Sequence, residues 1–167
     1  MQTIERAVNL FDDGQYTEIN SFLSYSQVRT AYGYVNGNPV YAFFQDSKKN
    51  GGAISKNDAE KISKLYDMAV KTGTPIIAFY DSDGAFMDGT AECLNSYGKM
   101  LSASGVISGV VPQISVIVGA CTGMSAMLAC SADLVIMTKD AEFYSAPNSR
   151  GDSETAEKAG LVSLVCE

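Results

Sequence analysis

Two short stretches of small residues follow apolar runs in this chain and could hold negative charge on backbone N–H groups. The first is Asp81–Ala85, after the apolar run 75–80, and the second is Gly119–Gly123, after the run 113–118. Each stretch leads into a helical pattern, so backbone N–H groups are presented where a strand ends and a helix begins. Such groups bind anions or developing oxyanions without a charged side chain. The alternative is that both stretches are ordinary tight strand-to-helix connections.

The absence of histidine limits the chemistry that side chains can perform. It excludes Ser-His-Asp and Cys-His catalysis and any metal site built on imidazole. The four cysteines, at positions 93, 121, 130 and 166, fit no zinc or disulfide pattern, and we expect them to be reduced. Cys121 lies within the second stretch, where we expect it to fill a turn rather than act as a nucleophile, because no histidine can serve as its base.

Aspartates and tyrosines are the remaining candidates for side-chain chemistry. Asp81, Asp83 and Asp88 offer oxygen ligands for a divalent cation, but aspartates at such positions more often cap the following helix and complement its dipole. We therefore predict no metal site. Four tyrosines are possible proton donors, which we expect instead to pack in the core or at an interface. These tyrosines are Tyr66, Tyr80, Tyr97 and Tyr144.

Composition restricts the class of protein. With 167 residues, of which 46% are hydrophobic, the chain can bury a full core as one globular domain. Its net charge of −7 argues against non-specific binding to nucleic acid or to anionic membranes. No apolar run approaches the roughly 20 residues that cross a bilayer, and the N-terminus lacks a basic segment followed by an apolar one. We expect a cytoplasmic protein with no membrane insertion.

The elements that position the two stretches follow from hydrophobic periodicity. The N-terminal part predicts a short helix followed by an extended arm. The β-rich runs Val28–Val35 and Val40–Phe44 flank Asn36–Pro39, and an Asn-Gly pair between two such runs is a strong hairpin signal. Ser55 and Asp58 then form a capping-box pattern ahead of an amphipathic helix.

Beyond this first helix, which Gly73 ends, strands and helices alternate. The strands are near-continuous apolar runs, as in a parallel sheet that is buried on both faces. We therefore predict an α/β fold with a mostly parallel sheet. The remaining predicted elements are a strand at 75–80, a helix from about 90 to 103, a loop at 105–109, a strand at 113–118, a helix at 124–130, strands at 133–138 and 142–145, a helix at 154–160 and a strand at 162–165.

Several motifs occur in a specific order along the chain. They are Gly51–Ser55, Ala59–Ile62, Ala69–Asp81, Ser104–Gly105, Val111–Ser115, Gly119–Gly123 and Thr155–Leu161. In this order they resemble the carboxyltransferase subunits of biotin-dependent acyl-CoA carboxylases and decarboxylases, in the crotonase (ClpP-like) superfamily. The resemblance covers the first of the two related halves that larger members contain. It implies a crotonase-like ββα superhelix, with a mostly parallel sheet flanked by helices, at 28–167, after an N-terminal arm at 1–27.

The resemblance implies a site for an acyl-CoA and a reaction that passes through its enolate. Family members move a carboxyl group between biotin and the α-carbon of the acyl-CoA, which requires no histidine. By position, the N–H groups of Gly84 and Ala85 are implied to form one oxyanion hole. Family members usually carry a glycine and an arginine where this chain has Asp83 and Phe86. The implied substrate-binding residues are Asp83, Phe86, Gly119, Ala120, Cys121, Thr122 and Gly123.

The resemblance also implies partners. The chain has no biotin attachment motif, so biotin is expected on a separate carrier protein. A second carboxyltransferase half or subunit is expected to complete the site in a homo- or hetero-oligomer. Two alternatives remain open. One is a catalytically degenerate CoA-binding or structural subunit, which Asp83 and Phe86 favour; the other is a stand-alone crotonase-type hydratase or isomerase, which needs a positioned acid/base pair.

Overall fold

The computed structural model describes residues 3–21, 26–85, 91–144 and 151–167. No helix in these ranges is long and apolar enough to cross a membrane. Helices and strands follow one another in the predicted order, with an additional strand in the N-terminal arm. The helices are α1 (Thr3–Leu10), α2 (Lys56–Thr72), α3 (Glu92–Ile107), α4 (Met124–Cys130) and α5 (Ser153–Lys158). The strands are β1 (Tyr16–Ile19), β2 (Arg29–Val35), β3 (Asn38–Phe44), β4 (Ile76–Ser82), β5 (Gln113–Thr122), β6 (Leu134–Thr138), β7 (Glu142–Tyr144) and β8 (Leu164–Cys166).

One sheet of eight strands forms the centre of the described chain. Its order is β1-β2-β3-β4-β5-β6-β8, and β7 pairs separately with β5. The first three strands pair antiparallel, and the predicted hairpin is confirmed, with Tyr32 opposite Tyr41. All later pairs are parallel. The predicted α/β class with a mostly parallel sheet is therefore confirmed.

Two apolar clusters pack on the two faces of this sheet. Successive side chains of a strand point to opposite faces, so Phe43 of β3 belongs to the larger cluster and Phe44 to the smaller one. Helices α2, α3 and α4 contribute to the larger cluster. In the smaller cluster, Ala7 and Phe11 from the N-terminal arm pack against β2 and β3. The residues of the arm that the structure describes thus add both a helix and an edge strand to the sheet.

Helix α3 extends further than its predicted end near residue 103. It continues to Ile107, so the prediction of a loop beginning at Gly105 is wrong. Ser104 and Ile107 are both buried. Because most helix stability in proteins comes from packing of the buried face, this burial outweighs the low helix propensity of one glycine.

Strand β5 also exceeds its predicted length, which changes the second small-residue stretch. The strand continues through Gly119–Thr122, where a turn was predicted. Strand β7 accounts for the difference, because it pairs with Ala120–Thr122 and so bonds backbone groups that would otherwise be free. The prediction of a turn holds only at Gly123, whose φ of 55° and ψ of −120° lie outside both helix and strand.

A buried carboxylate fixes the start of α2. Asp58 completes the predicted capping box, since its Oδ2 accepts from the Ser55 N–H at 2.9 Å while Ser55 Oγ accepts from the Asp58 N–H at 3.4 Å. Its Oδ1 accepts from Ser26 Oγ at 2.7 Å and from the N–H groups of Gln27 and Val28 at 2.6 and 3.0 Å. One side chain therefore joins α2 to the segment that leads into β2.

We predict that Asp58→Ala lowers the free energy of unfolding by about 3 kcal/mol, because hydrogen bonds to a charged group contribute about 1.5–3 kcal/mol each and their donors would stay buried. Urea unfolding followed by circular dichroism measures the change. Asp67→Ala, at an exposed position of the same helix, is the matched control and should change stability by less than about 0.5 kcal/mol. Equal losses in the two variants would contradict the capping role.

Candidate functional site

The two small-residue stretches meet at the carboxyl ends of the neighbouring strands β4 and β5, where open parallel sheets bind their ligands. Gly84 has a φ of 105°, which side chains rarely adopt, and it lies against Thr122. A Cβ on Gly84 would lie 3.1 Å from the Thr122 carbonyl oxygen and 3.2 Å from its Oγ1. The structure therefore brings the ends of both stretches together and requires glycine at their point of contact.

The two predicted oxyanion donors differ in their availability. The Gly84 N–H donates to Ser82 Oγ at 3.1 Å, within its own turn. The Gly84 carbonyl accepts from the Ile54 N–H at 3.2 Å, which ties the turn to the loop before α2. The N–H of the half-buried Ala85 has no acceptor among the described residues. Among the residues that the structure describes, the Ala85 N–H thus has no competing acceptor, whereas the Gly84 N–H becomes available only when the Ser82 hydroxyl moves.

Three buried hydroxyl groups form a chain of hydrogen bonds that supports the Gly84 turn. Ser125 Oγ donates to Ser82 Oγ at 3.2 Å, and it lies 2.9 Å from the Tyr97 hydroxyl. All three side chains are fully buried. Neither serine was predicted as a site residue, because the contact that gives each its role joins residues 43 positions apart in sequence. The only local signal in the sequence for these roles is that Ser82 ends β4 and Ser125 lies in the first turn of α4.

Three of the four predicted tyrosines, Tyr66, Tyr80 and Tyr97, pack in the core. Burial raises the pKa of Tyr97 above its ordinary value, so its hydroxyl stays protonated and serves the hydroxyl chain. Burial likewise raises the pKa values of Tyr66 and Tyr80. The prediction that these three tyrosines pack in the core is confirmed. Tyr144 is half-buried at the end of β7.

Asp83 is exposed, immediately before Gly84. Its N–H donates to the Gly51 carbonyl at 2.7 Å, and its carboxylate lies so close to Gly51 that a Cβ there would overlap it. The charge therefore stays beside the turn and faces the glycine loop at 50–52. Phe86 and Asp88, which were also predicted near this turn, lie outside the described residues.

Asp81 is occupied by an ion pair. Its Oδ2 lies 3.3 Å from both Nη1 and Nη2 of Arg6, and the two side chains are only 12% and 10% exposed, respectively. This pairing is neither the metal ligation nor the helix capping considered for Asp81. Among residues 3–21, 26–85, 91–144 and 151–167, no group of three or more His, Cys, Asp or Glu residues could hold a metal ion.

The second stretch presents backbone and small side chains rather than reactive groups. Cys121 is fully buried, and burial raises the pKa of its thiol, so the thiol stays protonated inside the core. The Gly123 N–H donates to the Tyr144 carbonyl at 3.0 Å. Gly123 is exposed, while Gly119, Ala120 and Thr122 are half-buried. Any contact between this stretch and a ligand therefore involves these four residues, and a role for them in binding acyl-CoA stays a prediction.

Comparison with known proteins identifies the family. The family model described as the carboxyl transferase domain matches residues 3–148, which is most of the chain. The chain belongs to this family. The resemblance inferred from the order of the motifs is thereby confirmed.

The relatives of this carboxyl transferase domain are subunits of acyl-CoA enzymes. The methylmalonyl-CoA decarboxylase subunit alpha of Propionigenium modestum is 34% identical over 180 residues, which cover 96% of this chain and 35% of the relative. The propionyl-CoA carboxylase beta chain of Roseobacter denitrificans is 34% identical over 153 residues, which cover 83% of this chain and 30% of the relative. The chain thus spans about a third of the length of these curated relatives.

Solved structures show the same fold for the carboxyl transferase domain. The crystal structure of transcarboxylase 12S with hydrolysed methylmalonyl-CoA bound has a TM-score of 0.93 at 29% identity, and the match covers 100% of this chain and 38% of that one. The beta subunit of Pseudomonas aeruginosa geranyl-CoA carboxylase has a TM-score of 0.92 at 23% identity, covering 100% of this chain and 36% of that one. The predicted crotonase-like fold is therefore confirmed.

We predict that Gly84→Ala destabilises the protein more than Gly37→Ala. Both glycines have positive φ, at 105° and 76°, but a Cβ on Gly37 would point into open space. Alanine at Gly37 should therefore cost only backbone strain, about 1 kcal/mol, whereas the contact with Thr122 should bring the cost at Gly84 to about 2–3 kcal/mol. Urea unfolding compares the two variants, and equal costs would argue against a tight contact at Thr122.

We predict that iodoacetamide labels Cys130 in the native protein at about pH 8 and leaves Cys121 unlabelled. Burial raises the pKa values of both thiols, but Cys130 is exposed whereas Cys121 is fully buried, so iodoacetamide reaches Cys130 and not Cys121. Peptide mapping by mass spectrometry locates the labels, and unfolding in urea should expose both thiols. Labelling of native Cys121 at the rate of Cys130 would contradict its place in the core.

Proposed function

We propose that this carboxyl transferase domain binds an acyl-CoA and stabilises its enolate while a carboxyl group moves to or from biotin. The observation that carries the proposal is the Ala85 N–H, which has no acceptor among the described residues and directly follows Gly84, where the turn meets Thr122. Preorganised backbone donors stabilise a developing oxyanion without histidine. The names of the relatives, a methylmalonyl-CoA decarboxylase and a propionyl-CoA carboxylase, supply the substrate class.

Each part of the site has a proposed role. The Ala85 N–H donates to the thioester oxygen that gains charge in the enolate, and the Gly84 N–H joins it when the Ser82 side chain rotates away and its Oγ no longer accepts from Gly84. The exposed surface of Thr122 and Gly123 forms the floor on which the acyl-CoA lies. Because Gly84 has no side chain, the turn can approach Thr122 closely.

Biotin would also present its ureido oxygen to a backbone N–H group. Because the Ala85 N–H is assigned to the acyl-CoA, we propose that the donor for biotin lies on the second half or subunit. Bound biotin carries the carboxyl group between substrates, and we propose that it arrives on a separate carrier protein. The chain's own contribution is to orient the thioester oxygen through the turn that the Ser82, Ser125 and Tyr97 hydroxyl groups support.

We further propose that a second carboxyltransferase half or subunit completes the site in an oligomer. The chain spans about a third of the length of its curated relatives, and one related structure is described as a hexamer assembly. Light scattering of the isolated chain, alone and with a co-expressed second half, tests this. A monomer that stays monomeric with every candidate half would contradict it.

A catalytically degenerate CoA-binding subunit is the second candidate. Two observations favour it, the exposed carboxylate of Asp83 beside the turn and the use of the Gly84 N–H by Ser82. A carboxylate at this place repels a carboxylated substrate and an oxyanion alike. The two candidates share acyl-CoA binding and differ in whether carboxyl transfer follows.

Two measurements test and separate these candidates. Thermal-shift titration with methylmalonyl-CoA and propionyl-CoA should raise the melting temperature, because ligand at ten times its Kd adds about 1.4 kcal/mol to stability. Free CoA and methylmalonate are the controls, and a flat response to both thioesters would contradict both candidates. Transfer of labelled carboxyl from methylmalonyl-CoA to free biotin, with the second half present, would then indicate the enzyme rather than the degenerate subunit.

We predict that Asp83→Asn and Asp83→Gly both bind methylmalonyl-CoA more tightly than the wild type, by about fivefold. Removing one like charge at a hydrated surface is worth roughly 1 kcal/mol. Propionyl-CoA lacks the extra carboxylate, so its affinity should change less. Isothermal titration calorimetry measures both ligands.

The pair of variants separates charge from shape, because asparagine keeps the side chain of Asp83 and removes only its charge. A gain with glycine but none with asparagine would assign the effect to the side chain's volume. Weaker binding of methylmalonyl-CoA by Asp83→Asn would contradict repulsion as the role of Asp83.

A further inference from the structure

Arg6 on α1 reaches the end of β4, three residues before Gly84. Its Nη1 and Nη2 lie 3.3 Å from Asp81 Oδ2, and Nη1 also lies 3.4 Å from the Gln45 carbonyl oxygen. Both charged side chains are about nine-tenths buried. A pair so removed from water differs from an exposed ion pair, because losing one partner leaves an unpaired charge in the interior.

The Asp81 carboxylate lies at an irregularity in the sheet. Between Tyr80 and Ser82 the pairing of β4 with β5 shifts, so that the β5 partners of these two residues, Ile117 and Cys121, are four positions apart. The extra residues of β5 bulge at this point. A Cβ on Gly119, within the bulge, would overlap Asp81 Oδ1. The carboxylate therefore fills the space that a side chain on Gly119 would need.

The glycine loop at 50–52, which precedes α2, packs against the main chain of Asp81. A Cβ on Gly52 would overlap the Asp81 carbonyl oxygen, and the Gly51 carbonyl accepts from the Asp83 N–H at 2.7 Å. The loop thus holds the backbone of Asp81, while Arg6 and the bulge hold its side chain. Among these contacts, the one from Arg6 spans the longest stretch of sequence, 75 residues.

We propose that Arg6 is a positioning residue for the candidate acyl-CoA site. By holding Asp81 inside the bulge, Arg6 sets how far the Gly84 turn lies from Thr122, and hence where the Ala85 N–H points. Arg6 acts through Asp81 and makes no contact with the ligand. The proposal rests on the proposed function, because it assigns Arg6 a role in a site whose ligand is an acyl-CoA.

The test compares Arg6→Gln with Arg29→Gln, which breaks a more exposed arginine pair with Glu18 on β1 and β2. We expect Arg6→Gln to weaken methylmalonyl-CoA binding by roughly tenfold or more, since small displacements of a site have effects of that size. Arg29→Gln should leave the affinity unchanged. Wild-type affinity in a folded Arg6→Gln variant would overturn the proposal.

A double variant separates positioning from stability. Arg6→Gln combined with Asp81→Asn leaves no unpaired charge in the interior, so its melting temperature should recover relative to Arg6→Gln. Its affinity for methylmalonyl-CoA should remain low, because the ion pair that fixes the bulge is still absent. Recovery of affinity together with stability would show a merely structural role and overturn the proposal.

Amide hydrogen exchange tests the positioning role of Arg6 without relying on acyl-CoA binding. Should the wild type bind no acyl-CoA, the proposed function fails, and the effect of Arg6 on the turn can still be measured. In Arg6→Gln, exchange in peptides covering 80–85 and 117–123 should rise at least roughly tenfold, while that of α2 stays as in the wild type. Unchanged exchange in both peptides would overturn the positioning role.

Discussion

The hydrogen bonding between β4 and β5 shifts register once, and the candidate site lies just beyond that shift. In the buried part of a sheet, backbone groups must be bonded and gaps must be filled, because neither water nor empty space is tolerated there without cost. The Asp81 carboxylate fills the gap beside Gly119, and Arg6 neutralises it. We propose that the contact between Gly84 and Thr122, and with it the direction of the Ala85 N–H, depends on that arrangement.

The parts of the fold that follow local rules could be predicted from the sequence. The Asn-Gly hairpin and the capping box of Ser55 and Asp58 depend on residues close together in the chain, and both occur as predicted. The mostly parallel sheet could be predicted from the near-continuous apolar runs of its strands. The order of the motifs identified the family without a single reactive side chain.

What could not be predicted depends on contacts between distant residues. The length of β5 is set by its pairing with β7, and the end of α3 by the burial of Ile107. Whether the Gly84 N–H is free to bind a ligand depends on the Ser82 hydroxyl, whose own partner, Ser125, lies 43 residues away. Arg6 and Asp81 are 75 residues apart, and nothing in either local sequence indicates the pair.

A donor such as the Ala85 N–H has an evolutionary consequence. Every amino acid except proline carries the same N–H group, so substitution at this position changes the surroundings of the donor without removing it. Under the proposed function, a lineage can therefore exchange one thioester for another through neighbours such as Asp83 while the donor itself persists. What such a lineage inherits at this position is a path of the main chain rather than a particular side chain.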